Sequence, residues 1–228
     1  MAPSSDSKWI VNDLRNIRDF FVGAGIAIDA NDVYDGERGR LTWAPSPGAG
    51  SLFQFGVHTT LEDYQYWCLD RQYSLMLLDG SLLQVSYFFT DGQVYSHRLA
   101  YIPFPLAGDR TFASAYEVTE FVSNMHPEPS DVALQAVVRF DYDPSNARPG
   151  HAASHLTINR SSCRIEVRTW VALPTFIQLV FREFYPELWQ AHDFLRGLGT
   201  AALLDQQPTF GAYDAPADPH VNWRPAVA

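Results

Sequence analysis

The sequence is short of cysteine, of long apolar runs and of positive charge, and each shortage removes a class of function. Only two cysteines, Cys68 and Cys163, occur in 228 residues. Neither has a second cysteine at metal-ligand spacing, and nothing resembles a disulfide framework. Each sits in an apolar, strand-like stretch, which predicts buried, reduced thiols. A nucleophilic role for Cys163 is the alternative. No apolar run approaches the roughly 20 residues that span a bilayer, and Met1 to Ser7 contains no apolar signal region. The expectation is therefore no membrane contact and a reducing, cytoplasmic location. Basic residues number 16 against 26 acidic ones, for a formal net charge of −10. Such a field repels polyanions, so nucleic acid or a nucleotide can be bound only through a local basic cleft or a partner that supplies charge.

What is present is a core. Hydrophobic residues make up 46% of the chain and aromatic residues 14%, enough for one generous domain. We expect that domain over residues 1–205. Residues 206–228 are rich in Pro, Ala and Asp and predict a poorly ordered C-terminal tail.

Local patterns sketch the elements. Ile10, Leu14, Ile17, Phe21 and Val22 recur at helical spacing within 8–25. Leu41 to Ala44 could be a short strand. Asp79-Gly80 and Asp91-Gly92 each separate two runs rich in aromatic and β-branched residues, the strongest short-range hairpin signal. Together they predict a three-stranded meander over 72–105. A helix over 112–125 follows, then a strand over 134–142. Ser154–Asn159 and Cys163–Val171 predict a further hairpin. Helices follow from about Thr175 to Tyr185 and from Pro186 to about Leu195. This order predicts an α+β fold: one domain, a mostly antiparallel β-sheet with helices packed on one face.

Strand alternation brings polar residues together. Arg139, Asp141 and Asp143 alternate with Val138, Phe140 and Tyr142. His155 and Thr157 alternate with Leu156 and Ile158. Arg164 and Glu166 alternate with Cys163, Ile165 and Val167. If these strands are neighbours, Arg139, Asp141, His155 and Arg164 share one surface. His151 and Ser154 lie in the connection leading to it, and His97-Arg98 of the meander belongs to the same sheet. A half-solvated antiparallel sheet also alternates in this way, with ordinary Arg–Asp surface pairs.

As chemistry, His155 would be a general acid or base, Asp141 its orienting carboxylate, and His151 a second acid–base group. Arg139 and Arg164 would clamp a phosphate through their planar forks. Asp143, Ser154, His97 and Arg98 are the candidate substrate-binding residues. This set suits metal-independent phosphodiester cleavage with no cofactor, although two His and two Asp could also hold a divalent metal. The isolated histidines His58, His126, His192 and His220 read as fillers. Trp9, Trp43, Trp67, Trp170 and Trp189 read as core, whereas Trp223 in the tail could dock on a partner.

Several blocks carry a family resemblance. These are His97-Arg98-Leu99-Ala100-Tyr101-Ile102-Pro103, Arg139-Phe140-Asp141-Tyr142-Asp143, His151 to Leu156, Cys163-Arg164-Ile165, and Phe176 to Pro186. Over residues 70–190 the chain resembles the prokaryotic domain-of-unknown-function family 2290. The family pattern His-Pro-x-Ser-His-Leu-His is met here except at Ala152 and Thr157. If the histidine replaced by Thr157 is essential, catalysis here is in doubt. The Arg-x-Asp and Ser-His-Leu strands are also similar to small toxins of toxin–antitoxin pairs, which implies RNA cleavage or antiphage defence by analogy. Two expectations result. One is a phosphodiesterase or ribonuclease-like component of a toxin–antitoxin or antiphage defence system, with a protein partner encoded nearby. The other is a non-catalytic binding or accessory subunit of such a complex.

Overall fold

The computed structural model describes residues 5–35, 39–43, 60–125, 136–148, 151–159, 163–167, 169–198 and 220–221. A sheet draws a strand from each of these regions except 169–198, which is helical. Its strands are β1 (Ala27–Ala30), β2 (Val33–Asp35), β3 (Arg40–Trp43), β4 (Leu75–Leu77), β5 (Leu82–Thr90), β6 (Gln93–Ile102), β7 (Val138–Tyr142), β8 (Ser154–Ile158), β9 (Arg164–Val167) and β10 (His220–Val221). The helices are α1 (Ser5–Gly23), α2 (Leu61–Leu69), α3 (Ala115–Ser123), α4 (Leu173–Phe184), α5 (Pro186–Ala191) and α6 (Asp193–Gly197). The fold is α+β.

The strand order is β1-β4-β5-β6-β7-β8-β9-β10, and β3 joins β2 to β5. Every pairing is antiparallel except the short parallel contact of β10 with β9. The expected meander is β4-β5-β6. Its second turn places Asp91 at φ 51° and Gly92 at φ 78°, the left-handed pair that a two-residue hairpin needs. The outer edge of β5 is shared. β4 pairs with its beginning, and β3 pairs with its end through Arg40↔Phe88 and Leu41↔Tyr87. Gly39, at φ +77°, permits that junction, because a Cβ there would collide with the Phe89 carbonyl oxygen.

Two cores lie on opposite faces. On one, α1 presents Ile10, Leu14, Ile17 and Phe21, and α4 presents Phe176, Ile177, Val180 and Phe181. They cover Leu83, Val85, Tyr87, Leu99, Tyr101 and Phe140 of the sheet. Neighbouring positions Leu82 and Ile102 point the other way, into a second core with Tyr64 and Trp67 of α2 and Val118 and Val122 of α3. The expectation of helices on one face is thereby corrected: α2 and α3 cover part of the other. Helix α2 opens with a capping box in which the Thr60 hydroxyl accepts from Asp63 N–H and the Asp63 carboxylate accepts from Thr60 N–H.

Other expectations are revised locally. Cys68 is buried, but Cys163 is exposed at the start of β9. Trp9 is 56% exposed on α1 rather than core. The helix expected from Pro186 to Leu195 breaks at His192 into α5 and α6, and the His192 ring packs edge-on against Phe20 at 5.5 Å. His58, His126, Trp223 and most of the tail lie outside the described residues. No described helix is long and apolar enough to cross a membrane.

Candidate functional site: a basic cleft on the sheet

The apolar face fixes the polar one. Phe140 sits between Arg139 and Asp141 and is 1% exposed, packed edge-on against Phe176 of α4 at 6.3 Å. Burying such a ring stabilises by about 1.5–3 kcal/mol. A slip of one residue would reverse every side chain of β7 and drive Asp141 into that core. The register therefore follows from the aliphatic and aromatic residues alone.

Pairing then lines the polar residues up in rows across the sheet. Ser86, Arg98, Asp141, His155 and Glu166 occupy successive partner positions on β5 to β9. The next row on the same face runs Gln84, Ala100, Arg139, Thr157 and Arg164. Over this face opens a cleft of about 540 Å³. Arg139, Asp141, His155 and Arg164, expected from alternation, line it together with Arg98, His97, His151 and Asp143.

Asp141 is the hub of the floor and is 6% exposed. Arg98 Nε donates to its Oδ1 at 2.5 Å, and Arg139 Nε donates to its Oδ2 at 2.6 Å. His155 Nε2 lies 3.5 Å from Oδ2. Burial alone would raise the Asp141 pKa. The His155 contact and the charges of Arg98 and Arg139 outweigh it and hold the carboxyl well below the usual carboxylate range. The other ring nitrogen of His155, Nδ1, faces the Ala152 carbonyl oxygen at 3.2 Å. Both its nitrogens are thus engaged, so His155 is anchored in the floor.

His151 is placed differently. Backbone hydrogen bonds in both directions between Arg148 and His151, 3.0 and 2.8 Å, close the loop between them. The His151 ring stands edge-on to His155 with centroids 4.9 Å apart. Its Nδ1 is buried without a hydrogen-bond partner among the described residues. Lost hydration, then the charges of His155 and Arg164, lower its pKa. Lowering keeps the ring neutral at neutral pH, the form that accepts a proton.

Three expected members are otherwise engaged, although His97 and Asp143 border the cleft. His97 and Ser154 belong to the opposite face, in the row Tyr87, His97, Tyr142, Ser154. The His97 ring packs beside Tyr87, Tyr142 and Trp170, and its Nε2 accepts the Val171 N–H at 3.1 Å. Burial pulls its pKa down to about 3. The Ser154 hydroxyl donates to the Thr169 carbonyl at 2.8 Å. Both residues hold the link between β9 and α4. Asp143 reaches the cleft, but its oxygens cap the 3₁₀ turn Pro144–Asn146, accepting from Ser145 and Asn146.

The structure also adds residues. Arg40 and Arg148 line the cleft, and so does Phe88. Arg148 stands three residues before His151 in a polar loop, a local signal of its place. Arg40 carries no such signal, because its place depends on β3 docking on β5. All 16 basic residues of the chain except Lys8 are arginines, and five of them, against two aspartates, line this cleft. The guanidinium groups of Arg40, Arg148 and Arg164 have no ion pair among the described residues. Also among the described residues, no three His, Cys, Asp or Glu side chains converge to hold a metal ion.

Residues 31–218 match the family model described as Uncharacterized conserved protein (DUF2290). The chain belongs to this family. The match extends beyond the blocks over 70–190 to take in β2 and β3, and so includes Arg40. No curated protein and no solved structure matches this DUF2290 chain. The cleft's chemistry must accordingly be read from its own residues.

Proposed function

We propose that the cleft binds a phosphate-bearing ligand and cleaves a phosphodiester, as in RNA, without a metal. One observation carries this reading: Arg40, Arg148 and Arg164 face a single cleft with no ion pair among the described residues, in a chain of net charge −10. Planar guanidiniums that line one cleft without an ion pair among the described residues are suited to phosphoryl oxygens. In this role Arg148 and Arg164 neutralise the phosphate, and His151 takes the proton from the attacking 2′-hydroxyl as its oxygen bonds to phosphorus; the bond from phosphorus to the 5′-oxygen breaks, and that oxygen takes a proton from water. His155 and Asp141 position His151 and the arginines rather than touch the substrate. The cellular setting we assign is a toxin–antitoxin or antiphage defence system with a protein partner, on the similarity of the Arg-x-Asp and Ser-His-Leu strands to small toxins.

The test is cleavage of a labelled RNA by the full chain in the presence of a chelator. His151→Ala should lose about 10²–10⁴-fold in rate. Full activity in that variant, or activity only on adding a divalent metal, overturns the assignment.

A second reading has its own observation. Thr157 occupies the position where the family pattern has histidine, and its hydroxyl is buried with no hydrogen-bond partner among the described residues, between Arg139 and Arg164. A protein that binds RNA yet leaves it intact, with and without metal, is a binding subunit.

A further inference from the structure

We propose that Phe88 and Tyr95 form a stacking platform for an unpaired nucleobase, so that the ligand of the cleft is single-stranded RNA. This rests on the phosphate-binding reading above and adds which phosphate-bearing ligand is taken.

Phe88 is the aromatic residue on the polar face of β5. It lies two positions beyond Ser86, the first member of the row that contains Arg98 and Asp141. Its ring lines the cleft and is only partly buried. This partly buried phenyl ring among guanidiniums belongs to neither apolar core. Tyr95 packs edge-on against it, with centroids 5.7 Å apart and planes at 74°, and is itself 41% exposed. An edge-on neighbour restrains the Phe88 ring, which lines the cleft. Arg40 is the cross-strand partner of Phe88, so its side chain leaves the sheet on the same face. The platform thus has Arg40 beside it, and Arg148 and Arg164 line the same cleft farther along the sheet.

That combination matches a nucleotide, which joins an anionic phosphate to a flat ring with a π-face. Aromatic side chains on a sheet stack unpaired bases, and a basic groove follows the backbone. A duplex hides the faces of its bases and cannot use the platform. A sugar phosphate or inorganic phosphate would use the arginines alone.

The experiment is fluorescence anisotropy of the full chain with three labelled oligomers of equal length: single-stranded RNA, the same strand paired into a duplex, and an abasic strand with the same phosphates. The single strand should bind roughly 5- to 150-fold more tightly than the abasic strand, the range of one stacked base. Phe88→Leu should abolish that ratio while leaving abasic binding unchanged, and Arg164→Ala should weaken both strands. Tyr95→Ala, at an exposed site, gives the same test if Phe88→Leu does not fold. Equal binding of the single and abasic strands overturns the platform but leaves the phosphate-binding cleft standing. Binding of the duplex at least as tight as the single strand also overturns the platform. Binding of none of the three overturns both.

Discussion

On the floor of the cleft, Asp141 holds Arg98 and Arg139 within hydrogen-bonding distance and His155 beside them. On the rim, Arg40, Arg148 and Arg164 have no ion pair among the described residues, and His151 keeps a nitrogen unpartnered. The residue types are the same, and their energetic roles are opposite. Charges removed from water need mutual compensation, so the floor is tied together and has little left to offer a ligand. Charges kept in water need none, so the rim can exchange solvent for phosphate. A cluster of Arg, Asp and His is therefore two things at once, a scaffold and a binding surface, and contact with Asp141 separates them.

The sharpest way to break this comparison is to remove the hub. Asp141→Ala leaves the buried Arg139 without its counter-charge and should cost about 3–5 kcal/mol, read from urea unfolding. A loss below about 1 kcal/mol, the range of exposed pairs, would place the floor in the same class as the rim.

The next effect is in pH and separates the two faces of the sheet. Buried His97 is held neutral, with its pKa lowered from 6.5 to about 3. The unfolded chain takes up a proton that the folded state refuses, so stability falls as pH drops below about 6.5, at up to about 1.4 kcal/mol per pH unit. Asp141 acts in the same direction through a different window. Its folded pKa is depressed, so its contribution is present above about pH 4 and is lost as pH falls below that. His97→Gln should flatten the stability curve between pH 6.5 and 4 and leave the drop below pH 4. A curve that stays steep between pH 6.5 and 4 in this variant would show that another group sets it.

The smallest effect on stability belongs to the rim. Arg164→Ala and Arg148→Ala should each change unfolding free energy by less than about 0.5 kcal/mol. Each should also reduce the salt dependence of RNA binding, lowering the slope of log K against log salt by about 0.7 for each phosphate that is no longer neutralised. A rim variant that unfolds like Asp141→Ala would sink the distinction.

Parts of this architecture are legible in the chain. The Asp91-Gly92 turn and the stripes of α1 and α4 are local patterns, and they stand where expected. The capping box at Thr60 and Asp63 is also a local signal and marks α2, a helix that the patterning of apolar residues did not reveal. Adjacent residues on a strand cannot share a face. That rule alone allows only one of His97 and Arg98, and only one of Ser154 and His155, to project its side chain from the cleft face. Alternation with Leu156 selects His155, but the choice between His97 and Arg98 was not legible, because β6 has buried residues on both faces.

The sequence by itself determined that Arg139, Asp141, His155 and Arg164 would share one side of the sheet, because side chains on a strand alternate with a period of two. It could not determine that Asp141 would be enclosed by two guanidiniums and a histidine, or that Arg40 and Phe88 would join the same face. Those outcomes depend on the registers of β6 on β7 and of β3 on β5. Such registers are set by how distant apolar residues pack on the far side of the sheet, and only the tertiary structure decides that.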